Sequence, residues 1–344
     1  MAFCDDVLKW YDLNRRELPW RGTKDPYRVW LSEIMLQQTQ TETVKGYYAR
    51  FLERFPTVKD LADAQEGEVL KLWEGLGYYS RARNLHAAAR KVAYELGGAF
   101  PKDAIGLRTL PGVGPYAANA IASIACHEIA PALDGNQARV LGRVLAWEPE
   151  LKTPFDLLEP ALARMSRERP GDYNQALMDL GAMVCTPKNP ACSECPVAGH
   201  CRAFAEDAAL EYPRRPAPVA KKQQDLAILL VFAGDRLLVR QRPKGLLGGL
   251  WEFCPLEGHP FSEEIPERLD DMGFTGAEVV KRLPDARHVF THLIWRMQGW
   301  EVRCQAVPEG FTPVDVEGLR ARPFPSALRV YREIAETRLS HSPS

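Results

Sequence analysis

Four cysteines, Cys185, Cys192, Cys195 and Cys201, lie within seventeen residues at a C-x6-C-x2-C-x5-C spacing. Four thiolates this close converge on one metal centre and force the chain between them into short, closed loops. Zinc and an iron–sulfur cluster both take four thiolates, and the spacing leaves that choice open. With every ligand position filled by protein, such a centre has no vacant site for a reacting group, which points to a structural role. The basic residues around it, Lys188, Arg202, Arg214 and Arg215, are candidates for phosphate contact, against the plainer reading of a solvated surface.

The remaining cysteines, Cys4, Cys126, Cys254 and Cys304, are scattered. That is not the pattern of a secreted disulfide framework, so plain thiols in a reducing, cytoplasmic setting are expected. The first residues lack a basic stretch followed by an apolar one, and no secretory signal is expected. No run of about eighteen apolar residues suggests a membrane span, so no membrane association is expected. The 344 residues fit two or three domains. A net charge of −1 excludes a uniformly basic nucleic-acid coat and still allows a local basic face.

Residues 1–210 read as a helical region. Val69, Leu70, Trp73, Leu85, Ala88, Ala89, Val92 and Leu96 recur at helical spacing, interrupted at Gly75 and Gly77. Asp103 is a candidate N-cap for a short helix, and helices are expected over 116–125 and 137–146. Composition then changes. The segment 211–224, EYPRRPAPVAKKQQ, holds three prolines and four basic residues and reads as an extended linker. Beyond it, 226–232 and 237–241 read as strands joined by a hairpin turn at Ala233–Arg236, and 288–304 is again strand-like. The fold expectation is therefore multidomain: an all-α region, then a smaller α+β domain over 225–340.

Three features carry chemistry. Leu110-Pro111-Gly112-Val113-Gly114 follows one helical segment and opens another. Its glycines permit a tight turn with backbone N–H groups exposed at a helix N-terminus, suited to a DNA phosphate without sequence preference. An ordinary helix–helix turn is the plainer reading. Glu33 sits inside the apolar run VWLSEIML. If buried rather than on a helix surface, its carboxyl pKa rises, as a general acid near neutral pH requires. Asp134 precedes the helix expected from Gln137, where an aspartate serves as an N-cap and the helix N-terminus also favours its ionised form. An acid and a retained anion together are what cleavage of a glycosidic bond through an oxocarbenium-like state needs.

In combination these segments resemble the adenine DNA glycosylase (MutY) family. The motifs are SEIMLQQTQT at 32–41, GLGYYSRARNL at 75–85, LPGVGPY at 110–116, LDGNQARVLGR at 133–143 and the cysteine loop, in the family's order. The later part resembles that family's MutT-like domain through GLLGGLWEF at 245–253 and Phe290-Thr291-His292. The resemblance implies a helix-hairpin-helix glycosylase fold with a [4Fe-4S] loop, followed by a Nudix-fold domain. It further implies a monomeric base-excision repair enzyme acting on double-stranded DNA. The enzyme would remove adenine mispaired with 8-oxoguanine or guanine by base flipping and hydrolysis.

By the same resemblance, Glu33 is the general acid that protonates adenine at N7. Asp134 stabilises or captures the sugar cation, Asn136 orients it, and Tyr116 is an active-site tyrosine. Trp20 and Arg21 flank the adenine pocket. Gln38, Thr39, Leu76 and Tyr78 probe and wedge the DNA beside the oxidised base, and Thr291 and His292 read it. Leu110, Gly112, Val113 and Gly114 hold the backbone. Cys185, Cys192, Cys195 and Cys201 are ligands of one [4Fe-4S] cluster. Each of the helical residues also has a plain structural reading as core or surface.

Two other activities are weighed against this one. An endonuclease III-like glycosylase/lyase places a lysine where this chain has Tyr116, and a phenol forms no Schiff base. A non-enzymatic iron–sulfur DNA-binding protein would lack Glu33 or Asp134, and both are present. Nudix hydrolysis needs an Arg-Glu pair and a set of carboxylates after Gly249. The chain has Glu263, Glu264 and Glu267 but no such pair, and Cys254-Pro255-Leu256-Glu257 replaces the family's usual continuation.

Overall fold

The structure is a computed structural model that describes residues 2–217, 220–243 and 245–341. The chain forms two compact units. One comprises 1–64 and 84–218, the other 65–83 and 219–344. Residues 218 and 219 of the expected linker lie outside the described residues.

The helices run in order as α1 (Phe3–Asn14), α2 (Pro26–Leu36), α3 (Thr41–Arg54), α4 (Val58–Asp63), α5 (Glu66–Leu72) and α6 (Ser80–Tyr94). They continue with α7 (Ala104–Leu107), α8 (Pro115–Cys126), α9 (Gly135–Val144), α10 (Leu158–Arg164), α11 (Pro170–Met183) and α12 (Arg202–Ala205). Their starts follow from local chemistry. Asp25 accepts a hydrogen bond from the Tyr27 amide (2.9 Å) and Pro26 takes the first position of α2. Pro115 and Pro170 open α8 and α11 in the same way. Asp103 caps α7 by accepting from the Gly106 amide at 2.7 Å, as its position in the sequence suggests.

In the first unit α9 and α11 pack on each other and α11 packs on α1. Val7, Tyr11, Leu133, Leu141, Tyr173, Leu177 and Leu180 form a core there, and Cys185, Cys195 and Cys201 rest against it. Each fully buried leucine contributes roughly 1.5–3 kcal/mol. One polar residue organises the turn before α9. Asn174, fully buried, accepts from the Ala132 amide (3.0 Å) and donates to Ser123 Oγ (2.8 Å) and the Ala130 carbonyl (2.9 Å). Gln137 Nε2 in turn donates to the Asn174 carbonyl at 3.0 Å.

The segment expected as a free linker is partly packed. Tyr212 is buried with Ala146 and Ala203, and the Leu151 amide donates to the Arg214 carbonyl at 2.8 Å. Gly142 has no side chain where Pro213 lies, and a Cβ there would come within 2.9 Å of the proline ring.

The second unit holds β1 (Lys222–Ala233), β2 (Arg236–Gln241), β3 (Trp251–Glu252), β4 (Cys254–Glu257), α13 (Ile265–Asp270), β5 (Glu278–Val289), β6 (Leu293–Cys304), β7 (Thr312–Val314), α14 (Val316–Ala321) and α15 (Arg329–Ser340). Among the described residues the sheet has seven strands in the order β3-β2-β1-β6-β5, with β4 on β1 and β7 on β2. The β1–β2 turn falls where the sequence places it, with Ala233 opposite Arg236. Strand β1 starts at Lys222, four residues before the apolar run. Its parallel pairing with β6, from Lys222 opposite Leu293 onward, supplies ladder partners for the polar residues.

Side-chain alternation along β1 feeds two cores. Leu226, Ile228, Leu230 and Phe232 meet Tyr331, Ala335 and Leu339 of α15. Ala227, Leu229 and Val231 meet Ile265 and Leu269 of α13. Residues 65–83 pack within this unit. Tyr79 donates to the Phe324 carbonyl (3.1 Å), the Phe324 amide donates to Glu74 (3.0 Å), and Arg332 pairs with Glu74.

Asn174→Ala removes the side-chain hydrogen bonds of three buried groups, the Ala132 amide, Ser123 Oγ and the Ala130 carbonyl. It is expected to lower the stability of the first unit by about 2–4 kcal/mol in urea unfolding, with no change in the second unit.

Candidate active site and iron–sulfur centre

Glu33 lies on the buried face of α2, 5% exposed. Tyr116, in the first turn of α8, donates its hydroxyl proton to Glu33 Oε2 at 2.6 Å. Burial is the main cause that lifts the Glu33 carboxyl above its ordinary 4.5, opposed by the Tyr116 hydrogen bond and by Arg21. Burial also holds the Tyr116 phenol well above its ordinary value, so it stays protonated.

Asp134 is the N-cap of α9. Its Oδ1 accepts from the Gln137 amide (2.7 Å) and its Oδ2 from Asn136 Nδ2 (3.0 Å). The sequence suggests that the helix N-terminus also favours the ionised form of this carboxyl. Burial outweighs the donors and raises Asp134 above its ordinary 3.8, while the Gln137 and Asn136 hydrogen bonds pull it back. The contrast between the two carboxyls is therefore one of hydrogen bonding: one donor reaches Glu33, several reach Asp134.

Both carboxylates line one cavity of about 180 Å3, together with Trp20, Arg21, Thr39, Tyr116 and Asn136. The wall also includes Arg16, Leu36, Gln175 and Met178, which sequence reasoning missed, and among the described residues no lysine. Trp20 is buried edge-on to Tyr48 at 5.4 Å between ring centroids. Arg21 donates to Tyr11 Oη (2.6 Å) and to Asp179 (2.9 Å), and Arg16 Nε donates to the same fully buried Asp179 (2.8 Å). Asp179 thus fixes two cavity arginines. It carried the signal that singled out Glu33, a lone carboxylate inside an apolar helical run, ALMDLGAM.

Behind Asp134 a buried network continues. Arg139 Nη2 donates to Asn136 Oδ1 (2.9 Å) and the Gly181 carbonyl (2.7 Å), and its Nε donates to the Cys185 carbonyl (2.8 Å). Gly181 permits this approach, because a Cβ there would lie 2.7 Å from Asn136 Cβ.

The four cysteines surround one largely apolar cavity lined also by Val140, Val144, Leu180 and Val197. Burial raises the Cys192, Cys195 and Cys201 thiols, Cys195 to about 11. Among the described residues no three His, Cys, Asp or Glu side chains are grouped so as to hold a single ion. Four thiols around one apolar cavity are a donor set that fits an iron–sulfur cluster. Lys188, Arg202, Arg214 and Arg215 are exposed around this region, Arg202 with Glu206 at 3.7 Å.

The hairpin between α7 and α8 buries Leu110 and Val113 and turns at Gly112, whose φ is +74°. A Cβ on Gly112 would meet Asn84 Cβ at 2.6 Å. The Val113 amide donates to the Leu110 carbonyl (3.1 Å), whereas the Gly112 and Gly114 amides have no acceptor among the described residues. Gly114 caps α8 without a side chain, so the helix start is open to an anion.

The other predicted positions are not part of the cavity. Gln38, at φ +57°, adjoins Thr39. Leu76, Tyr78, Thr291 and His292 belong to the second unit. There Leu76 is buried, Tyr78 is half exposed at φ +47°, and the Tyr78 and Thr291 hydroxyls are hydrogen-bonded at 2.8 Å.

Comparison with known proteins agrees with this geometry. Residues 31–160 match the HhH-GPD superfamily of base excision DNA repair proteins. Residues 185–201 match the iron–sulfur binding domain of endonuclease III, and 227–333 match the NUDIX domain. A thermostable thymine-DNA glycosylase of known structure superimposes with a TM-score of 0.53 at 29% identity, over 59% of this chain and 95% of that one. An endonuclease III–DNA complex, 22% identical, shares the fold with a TM-score of 0.52 over 59% of this chain and 94% of that one. The fold and these matches define a DNA glycosylase of base excision repair that carries a [4Fe-4S] cluster and a Nudix-fold second domain.

Relatives named adenine DNA glycosylase extend over most of the chain. The Mus musculus protein is 36% identical over 95% of this chain and 75% of its own length. The Homo sapiens protein is 37% identical over 91% and 68%. The chain belongs to the adenine DNA glycosylase family.

The fold prefers protonated Glu33. Its contribution to stability is complete below about pH 4.5 and is lost as pH rises through the higher folded-state value. Glu33→Gln, permanently neutral, is expected to remove this loss. Its stability relative to the unsubstituted protein should increase with pH upward from 4.5, read from urea melts across that range.

Proposed function

We propose that the chain removes adenine paired with 8-oxoguanine, or with guanine, from duplex DNA by a monofunctional mechanism. The observation that carries this reading is one cavity with a buried Glu33 whose pKa burial raises, a multiply hydrogen-bonded Asp134 and, among the described residues, no lysine in its wall.

Adenine is unreachable inside a duplex and must be flipped out, at roughly a few kcal/mol. Tyr78, half exposed in the second unit, is assigned to fill the gap left in the stack. Its hydrogen bond to Thr291 joins two residues 213 positions apart, both of which the family resemblance places beside the oxidised base. The unpaired amides of the 110–114 hairpin hold a phosphate.

In the cavity Tyr116 occupies Glu33 Oε2, which leaves Oε1 to carry the proton. Glu33 gives that proton to adenine N7, the C1′–N9 bond breaks, and its electron pair leaves with the base. The positive charge on the sugar falls beside Asp134, supplying the counter-charge that burial otherwise denies this carboxylate. Water then adds at C1′ and its proton passes to a carboxylate. With Tyr116 in place of a lysine amine, no Schiff base forms and the strand stays intact until alkali is added.

Three outcomes check this. Duplexes with adenine opposite 8-oxoguanine or guanine are cleaved only after alkali, and oxidised pyrimidines are left untouched; strand nicking without alkali counts against the reading. Asp134→Asn loses at least about a hundredfold in single-turnover excision while remaining folded. Excision slows as pH rises through the elevated Glu33 value and its proton is lost.

A further inference from the structure

We propose that Arg143 tunes the iron–sulfur cluster, raising its reduction potential through a direct hydrogen bond to a ligand sulfur. Arg143 lies on α9 and is 3% exposed. Its Nη1 donates to Cys185 Sγ at 3.3 Å and to the Thr186 carbonyl at 2.8 Å. Nη2 donates to the Pro187 carbonyl (3.1 Å) and Nε to the Tyr212 carbonyl (3.2 Å). Every other acceptor is a neutral carbonyl, and no carboxylate pairs with this guanidinium among the described residues. A buried cation without a counter-ion is costly. The cysteine sulfur is the one acceptor in its shell that becomes anionic, and it does so only when the cluster is bound.

The direction of the effect follows from charge. Four thiolates around a dicationic four-iron core leave a doubly negative cluster, and loss of one electron to an external acceptor leaves it singly negative. A fixed cation against a ligand sulfur stabilises the more negative state more, so the electron is harder to remove and the potential rises. Burial keeps the interaction unscreened. Arg139, one helical turn away, gives the contrast. It is also buried, but its protons go to the Cys185 carbonyl, the Gly135 and Gly181 carbonyls and Asn136, and none goes to sulfur. Arg143 also fastens the 185–187 turn, so loop anchoring and redox tuning have to be separated by experiment.

The test is film voltammetry on the full-length protein, each variant normalised to its iron content. Arg143→Met is expected to lower the midpoint potential, and Arg143→Lys to lower it less. Arg202→Ala, which removes an exposed charge beside Cys201, should leave it in place because solvent screens that site. A fully loaded Arg143→Met protein at the unsubstituted potential overturns the proposal, as does an equal shift in Arg202→Ala. If Arg143→Met does not retain the cluster, the unsubstituted protein decides. Pulsed EPR of its one-electron-oxidised, paramagnetic form in H2O and D2O should show an exchangeable proton coupled to the cluster and assignable to a guanidinium, and its absence overturns the hydrogen bond itself.

Discussion

The catalytic edge of the first unit hangs on the buried guanidinium of Arg139. Asn136 is a symmetric-looking amide that can present either its oxygen or its nitrogen. Because Arg139 claims Asn136 Oδ1, the Nδ2 group is left to face Asp134 Oδ2. The same guanidinium holds the end of α11 at the Gly181 carbonyl and the first cluster ligand at the Cys185 carbonyl. The cysteine loop is thereby joined, by two side chains, to the Asp134 carboxylate of the cavity. An interaction of this kind matters less for its net energy than for what its loss leaves behind, since each abandoned buried carbonyl costs about 1–3 kcal/mol.

The two carboxylates show how one fold gives similar groups different surroundings. Both are buried and both are pushed toward the neutral form. What separates them is the company each keeps. Glu33 faces apolar helix neighbours and one phenol, so a proton is its easiest source of neutrality. Asp134 sits at the mouth of a helix with an amide and a carboxamide pointed at its oxygens, so it tolerates charge once a cation arrives.

Much of this was legible before the structure. Glu33 and Asp134 look ordinary alone, a helix-surface glutamate and an N-cap, and they gain weight only from the ordered motifs around them. The cysteine loop announces itself by spacing. The hairpin at 233–236 and the helices α8 and α9 follow from turn chemistry and propensity. What was not legible depends on tertiary approach. The rise in the Asp134 pKa comes from burial by neighbours, which a capping rule does not see. Arg16 and Gln175 reach the cavity wall from distant helices with no local mark. Strand β1 extends through Lys222 to Asp225, polar residues that only a partner strand can recruit.

The grouping of residues 65–83 with 219–344 bears on how the molecule can be dissected. A fragment ending before residue 218 would retain Glu74, Tyr78 and Tyr79 but discard Arg332, Thr291 and Phe324, the residues that hold them. Tyr78 adopts a left-handed backbone that a bulky residue keeps only when its surroundings demand it. Cutting the chain at its change in composition would therefore remove more than a trailing domain. It would strip support from a loop that sequence order places well inside the first half, so the natural seams of this protein do not coincide with the seams of its sequence.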